Sequence, residues 1–137
     1  MKLFHLQIIT PEKTFFDEDV QMVVVKSTDG EVGILADHEP TVISLVEDAI
    51  RIQYPDGHWR KAATSKGFIT INREEVLVLF QSVEWPEDID LVHAQRSKER
   101  AEERLRQHQS MNEYYLSRAM LSRAMVRLRV GRDKGIT

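Results

Sequence analysis

At Pro86-Glu87-Asp88 the period of the hydrophobic pattern changes. Upstream, apolar residues tend to alternate; downstream there is no proline at all, and apolar residues recur at helical spacing. Strands present side chains with a period of two and helices with a period near 3.6. One kind of element cannot serve both halves, so the chain must fold as a strand-built front followed by helices. In the front, Lys2–Thr10 places Phe4, Leu6 and Ile8 on one side, Val20–Lys26 is a β-branched run, and Ala49–Tyr54 alternates cleanly. Pro55-Asp56-Gly57 signals a turn, because proline presets φ and glycine supplies φ > 0. Trp59–Thr64, Gly67–Ile71 and Val76–Phe80 follow as strands, with Asn72-Arg73-Glu74 as a second turn. Thr41–Leu45 reads either way. Short strands at this spacing indicate a sandwich or barrel.

Past the proline, Asp88 can cap a helix that runs from Ile89. Leu91, Ala94, Ala101, Leu105 and His108 lie near a heptad seam that Lys98 interrupts, and Glu102 with Arg106 is an i,i+4 pair. Ser110-Met111-Asn112-Glu113 matches a capping box and starts a second helix, expected to reach about Val130, where Gly131 would stop it. Two helices with a short turn between them make an antiparallel hairpin. The expected organisation is α+β, with an antiparallel β-sandwich over residues 1–86 and a helical hairpin over residues 87–137.

The second helix contains SRAML (Ser117–Leu121) followed by SRAMV (Ser122–Val126). A five-residue repeat advances about 140° around a helix, so its two copies face different ways. The wheel gathers Leu116, Met120, Leu121, Ala124, Met125 and Leu128 into one apolar stripe. Arg123 and Arg127 share a face at its edge, while Arg118 and Arg129 sit together on a nearly opposite side. Such arginines are either solvated or used, and a guanidinium pair suits a carboxylate or phosphate.

Charge is unevenly distributed. Residues 1–88 carry 8 Lys/Arg and 16 Asp/Glu, a net −8; residues 89–137 carry 11 and 6, a net +5. The two halves should meet different partners. Without cysteine there are no disulfides, thiol nucleophiles or zinc ribbons. The five histidines are scattered, no P-loop or G-x-S-x-G elbow occurs, and no metal site is expected. No run approaches a membrane span, and the start does not read as a signal peptide. These absences point away from a self-contained enzyme.

Asp29–Leu45, DGEVGILADHEPTVISL, resembles the epsilon subunit of F-type ATP synthases through Gly30, Gly33, Ile34, His38 and Pro40. SKGFITI, DIDLVHAQRSKERAEERL and SRAMVRLRV resemble later segments of that family in the same order, nearly to the end of the chain. The resemblance implies a ten-stranded sandwich, a two-helix end and no catalysis by this chain. It implies a place in the rotating central stalk, on the cytoplasmic face of a bacterial membrane and held there through the complex. The sandwich would bind the gamma subunit and rest on the c-ring, coupling ion flow to ATP synthesis in the alpha/beta head. The hairpin would swing along gamma and restrain ATP hydrolysis.

The same resemblance nominates residues. A loop at Glu31–Gly33 would face the c-ring, with His38 nearby as a packed, hydrogen-bonded residue on the gamma side. Arg118, Arg123, Arg127 and Arg129 would meet an acidic stretch of the beta subunits. Some bacterial members bind ATP in the folded hairpin, as a regulatory ligand rather than a required cofactor. Glu84, Ile89, Asp90, Ala94, Arg100, Arg123 and Arg127 match that pattern, but His93 stands where it has an arginine. Histidine lacks the guanidinium fork, so weak or absent ATP binding is expected. Two rival classes compete with this one. A nucleic-acid-binding module could use the basic helices, but the acidic front carries no aromatic stacking platform. A cupin-type barrel enzyme would need a histidine cluster that the sequence lacks.

Overall fold

The computed structural model describes residues 2–107 and 110–132. Ten strands come first: β1 (Phe4–Ile9), β2 (Thr14–Val20), β3 (Met22–Ser27), β4 (Gly30–Ile34), β5 (Thr41–Leu45), β6 (Asp48–Gln53), β7 (Trp59–Thr64), β8 (Gly67–Ile71), β9 (Glu75–Phe80) and β10 (Val83–Glu84). A 3₁₀ turn at Pro86–Asp88 leads to α1 (Leu91–Gln107) and α2 (Met111–Arg132).

The strands form one sheet folded into a sandwich, in the order β10-β7-β6-β3-β5-β8-β9-β1-β2, with β4 added to β3. Alternation decides the inward residues. On β1, Phe4, Leu6 and Ile8 are buried; on β6 and β8, Ile50, Ile52, Ile69 and Ile71 are. These side chains join Val23, Val78 and Phe80 in one continuous core. The turn after Tyr54 forms as its residues require: Gly57 takes φ 95° and the Asp56 carboxylate accepts the His58 N–H at 3.0 Å.

Several sequence expectations are corrected. The sandwich is antiparallel except at β1 and β9, which pair in parallel from His5↔Glu75 to Ile9↔Leu79. These strands are far apart in the chain, so no hairpin imposes their direction. Val20–Lys26 is not one strand: β2 ends at Val20 and β3 begins at Met22. Thr41–Leu45 is a strand, and Glu31–Gly33 lies in β4 rather than in a loop. Its glycines mimic a turn signal, but the segment pairs with β3 from Val23↔Ile34 to Ser27↔Gly30.

In the hairpin, Asp88 closes the 3₁₀ turn and Asp90 is the cap of α1, its carboxylate accepting the His93 N–H at 3.0 Å. The helix therefore starts at Leu91 rather than Ile89. Arg106 bonds Glu103, not Glu102. Ser110 caps α2 as expected, its hydroxyl accepting the Glu113 N–H at 3.2 Å. Ala94 and Ala101 are buried on the seam; His108 lies outside the described residues.

Gly131 does not stop α2. It lies inside the helix, where an added Cβ would stand 2.7 Å from a Leu91 methyl carbon. It lets α2 press against the start of α1. The apolar stripe also needs correction: Leu116 and Met125 are exposed, while Ser117, Val126 and Val130 are buried with Ala124 and Leu128. The helix has two neighbours, α1 and the β6–β7 side of the sandwich, so it buries a second sector, Val126 and Val130, about 160° around the helix from Ala124 and Leu128.

Candidate functional site

Where α2 meets the sandwich, Ala63, Ile89, Val126 and Val130 form a second, smaller apolar cluster, with Ala49 and Leu91 packed against it. Ion pairs flank it. Arg127 grips Glu84 with two nitrogens, Nε to Oε1 at 2.6 Å and Nη2 to Oε2 at 3.1 Å. Its remaining Nη1 donates to His93 Nδ1 at 3.3 Å. Beyond the cluster, Arg129 pairs with Asp48 on β6, and Asp48 also lies 3.5 Å from Lys26 Nζ.

Beside the Arg127–Glu84 pair lies a cleft of about 320 Å³ whose walls include Thr64, Ser65, Ser82, Ser97, Arg123 and Arg127. Ser65 fixes the sandwich wall, its hydroxyl accepting the N–H groups of Gln81 and Ser82 at 3.0 and 3.1 Å. Of the residues nominated for ATP, the structure brings Glu84, His93, Arg123 and Arg127 to this seam. Ile89 is consumed by the apolar cluster and Asp90 by the helix cap. Asp90 is held below the usual carboxylate range, chiefly by the His93 N–H, with the Val92 N–H and the charges of His93 and Arg127 adding. Arg100 is exposed on α1 and does not line the cleft.

The remaining nominated residues are scattered. Glu31 pairs with Arg51 at 3.1 Å, and Gly33 stands opposite Val24. His38 Nδ1 meets its neighbour's carbonyl, Glu39 O, at 2.7 Å, a local contact. Arg118 and Arg129 do not act together: Arg118 donates to the Tyr114 hydroxyl at 3.1 Å, while Arg129 is engaged by Asp48. Among the described residues, no group of three or more histidines and carboxylates could hold a metal ion.

Three features escaped the sequence reading. Asp48 opens a strand like many surface acids, and nothing local marks its partner 81 residues away. Trp85, at the junction, is sandwiched: its ring lies 4.7 Å from Phe15, and the Arg60 guanidinium sits 3.6 Å over it while bonding Glu87 at 2.5 Å. Third, the other layer of the sandwich carries an open apolar groove of about 860 Å³, running past Ile9, Pro11, Leu45, Phe68 and Leu79. Phe68 is 54% exposed there, Leu79 is 42% exposed, and Val42 on the adjoining strand is 65% exposed.

Comparison with known proteins bears on both halves. The model of the ATP synthase Delta/Epsilon chain beta-sandwich domain matches residues 3–86, and that of the long alpha-helix domain matches residues 87–131. The ATP synthase epsilon chain of Caldanaerobacter subterraneus subsp. tengcongensis is 42% identical over 129 residues, 94% of each chain. That of Ruminococcus albus is 40% identical over 135 residues, covering 98% of this chain and all of the relative. A chain in the Euglena gracilis mitochondrial ATP synthase shares the fold, with a TM-score of 0.80 at 22% identity, over 93% of this chain and 79% of that one. A chain in the Tetrahymena thermophila mitochondrial central stalk and c-ring aligns at 0.65 and 9% identity, over 95% and 97%. With sandwich and hairpin matched in that order, and relatives alike nearly from end to end, the chain belongs to the ATP synthase delta/epsilon family, alongside its bacterial epsilon chains.

Proposed function

We propose that this chain is a non-catalytic subunit of the rotating central stalk, with a sandwich that docks permanently and a hairpin that docks reversibly. The observation that carries the reading is the disparity between its two apolar clusters. The sandwich core joins eighteen buried residues. The hairpin is held to it by a cluster of four buried residues, two of them valines. Each buried valine or isoleucine contributes about 1.5–3 kcal/mol, so three of them give a contact that ordering costs nearly offset. A hairpin held this way can leave without unfolding the sandwich.

The apolar groove around Phe68 and Leu79 supports a permanent partner on the other layer, because exposed apolar surface of this extent marks an interface. The reading gives that groove to the gamma subunit and the β4 side, with Glu31, Gly33 and His38, to the c-ring. Residues 1–86 then carry assembly, and residues 87–137 carry restraint of ATP hydrolysis in the alpha/beta head through Arg118, Arg123, Arg127 and Arg129. No described helix is long and apolar enough to cross a membrane. The reading puts the chain on the cytoplasmic face of the bacterial membrane, held there through its complex.

The cleft gives ATP a weak regulatory role at most. A nucleotide would meet Arg123 without competition, but it would have to take Arg127 from Glu84, and His93 offers no fork. The docked hairpin also speaks against nucleic acid as a partner, since Arg127 and Arg129 are already neutralised by carboxylates. The test is truncation after Asp88 in the reconstituted complex. Assembly with gamma should persist and ATP hydrolysis should rise several-fold; an unchanged hydrolysis rate would remove the restraining role.

A further inference from the structure

Asp48 has two cationic partners on two different parts of the molecule. Arg129 reaches it from α2, and Lys26 Nζ stands 3.5 Å away on β3 of the sandwich. Its side chain is only 17% exposed while α2 is docked, so in that state the carboxylate leans on its two cationic partners more than on water. On the helical wheel, Val126 and Val130 lie about 40° apart, and Arg127 and Arg129 fall about 80° to either side of their midpoint. The two arginines therefore straddle the apolar contact, one reaching β10 at Glu84 and the other β6 at Asp48. Ala49, Ala63 and Glu84 stand in one cross-strand row beneath, which gives α2 a flat apolar floor between its flanking acids. Both ion pairs can form at only one roll angle of the helix.

The geometry points to Asp48 as a switch carboxylate: it holds Arg129 while α2 is docked and falls back on Lys26 when α2 leaves. On the Glu84 side, undocking breaks a two-pronged pair. On the Asp48 side the carboxylate keeps a partner, so release of Arg129 leaves no bare charge on the sandwich. Asp48 and Glu84 thereby imitate an acidic docking surface, and the docked hairpin hides its arginines from any acidic partner. This last consequence rests on the function proposed above; the exchange of partners at Asp48 does not.

Two opposite substitutions test the switch on the full-length chain. The protein has no cysteine, so Ser122→Cys with Arg73→Cys confines a donor and acceptor dye pair to those two sites. The distance distribution then reports the fraction of chains with the hairpin open. Asp48→Asn should raise the open-to-docked ratio by roughly two- to fivefold, the range of a partly exposed ion pair. Lys26→Met should lower it, because Asp48 then has only Arg129. The Lys26 variant is also a fold control, since the substituted side chain is half exposed at the sheet surface. A Lys26→Met chain that opens like Asp48→Asn, or does not change, overturns the shared carboxylate. In the assembled complex, Asp48→Asn should slow ATP hydrolysis. Opposite shifts in the isolated Asp48→Asn and Lys26→Met chains with hydrolysis unaltered would uphold the switch and count only against the restraining role.

Discussion

His5 stands on β1 between two acids of the edge strand β2, bonding Asp19 through Nδ1 at 3.0 Å and Asp17 through Nε2. The Asp19 bond first, and the Asp17 bond second, raise its pKa above the ordinary histidine value. A raised folded-state pKa adds stability that is complete below the unfolded value, about 6.5, and is lost as pH rises through the folded one. The His5 ring should therefore titrate above 6.5 by NMR, and Asp19→Asn should bring its midpoint down. The stability of the wild-type chain should fall across that window relative to His5→Gln. A midpoint unmoved by Asp19→Asn would show that the acids do not hold the ring. His5 was legible as an outward residue of an alternating strand. Its partners were not, because Asp17-Glu18-Asp19 has no apolar alternation to mark it as a strand. An exposed edge strand carries such charges to discourage further pairing.

At the scale of elements, legibility followed the number of neighbours each element has. Strands such as β6 and β8 bury one face, and simple alternation located them. The two SRAM phrases of α2 show the opposite case. Ser117 is buried and Ser122 exposed; Ala124 is more buried than Ala119; Met125 faces solvent where Met120 is half-buried. The wheel separated the copies correctly, yet it drew the apolar stripe too wide, out to Leu116 and Met125, and missed the second buried sector at Val126 and Val130. Nothing in the helix itself announces the sandwich as a second neighbour. Gly131 was misread for a related reason: near a helix end glycine usually means a stop, and here it means close packing. Gly131→Leu should wedge α2 from Ile89 and Leu91 at a cost of about 1–3 kcal/mol. Hydrogen exchange should show α2 amides losing protection while those of β1 and β9 keep theirs. Undiminished protection in α2 would place the helix contact elsewhere.

The whole molecule should have two stabilities rather than one. The sandwich core reports global unfolding, and the cluster around Val130 reports undocking. Ile69 is fully buried in the core, so Ile69→Ala should lower global stability by about 2–5 kcal/mol in denaturant titration. The open-to-docked ratio of the hairpin should stay unchanged, because Ile69 touches neither ion pair. If that ratio moved in step with global stability, sandwich and hairpin would be one cooperative unit. The division itself was legible from Pro86 onward, since a change of period leaves little choice. The seam was only half legible. Arg127 could be suspected from its spacing to Arg123, but Asp48 and Glu84 acquire their roles only when β6, β7 and β10 come together.

Trp85 sets the mechanics of that division. With its ring held between Phe15 and Arg60, and Glu87 tied to the same arginine, the chain is bolted down as far as the 3₁₀ turn. Only Ile89 and Asp90 separate that turn from α1. On the reversible docking proposed above, a departing hairpin would pivot about a fixed fulcrum instead of drifting on a loose cord. Its first arm, seventeen residues long, has a radius of about 25 Å. The far tip would then stay within that radius of the fulcrum, whose position on the stalk bounds where it can land.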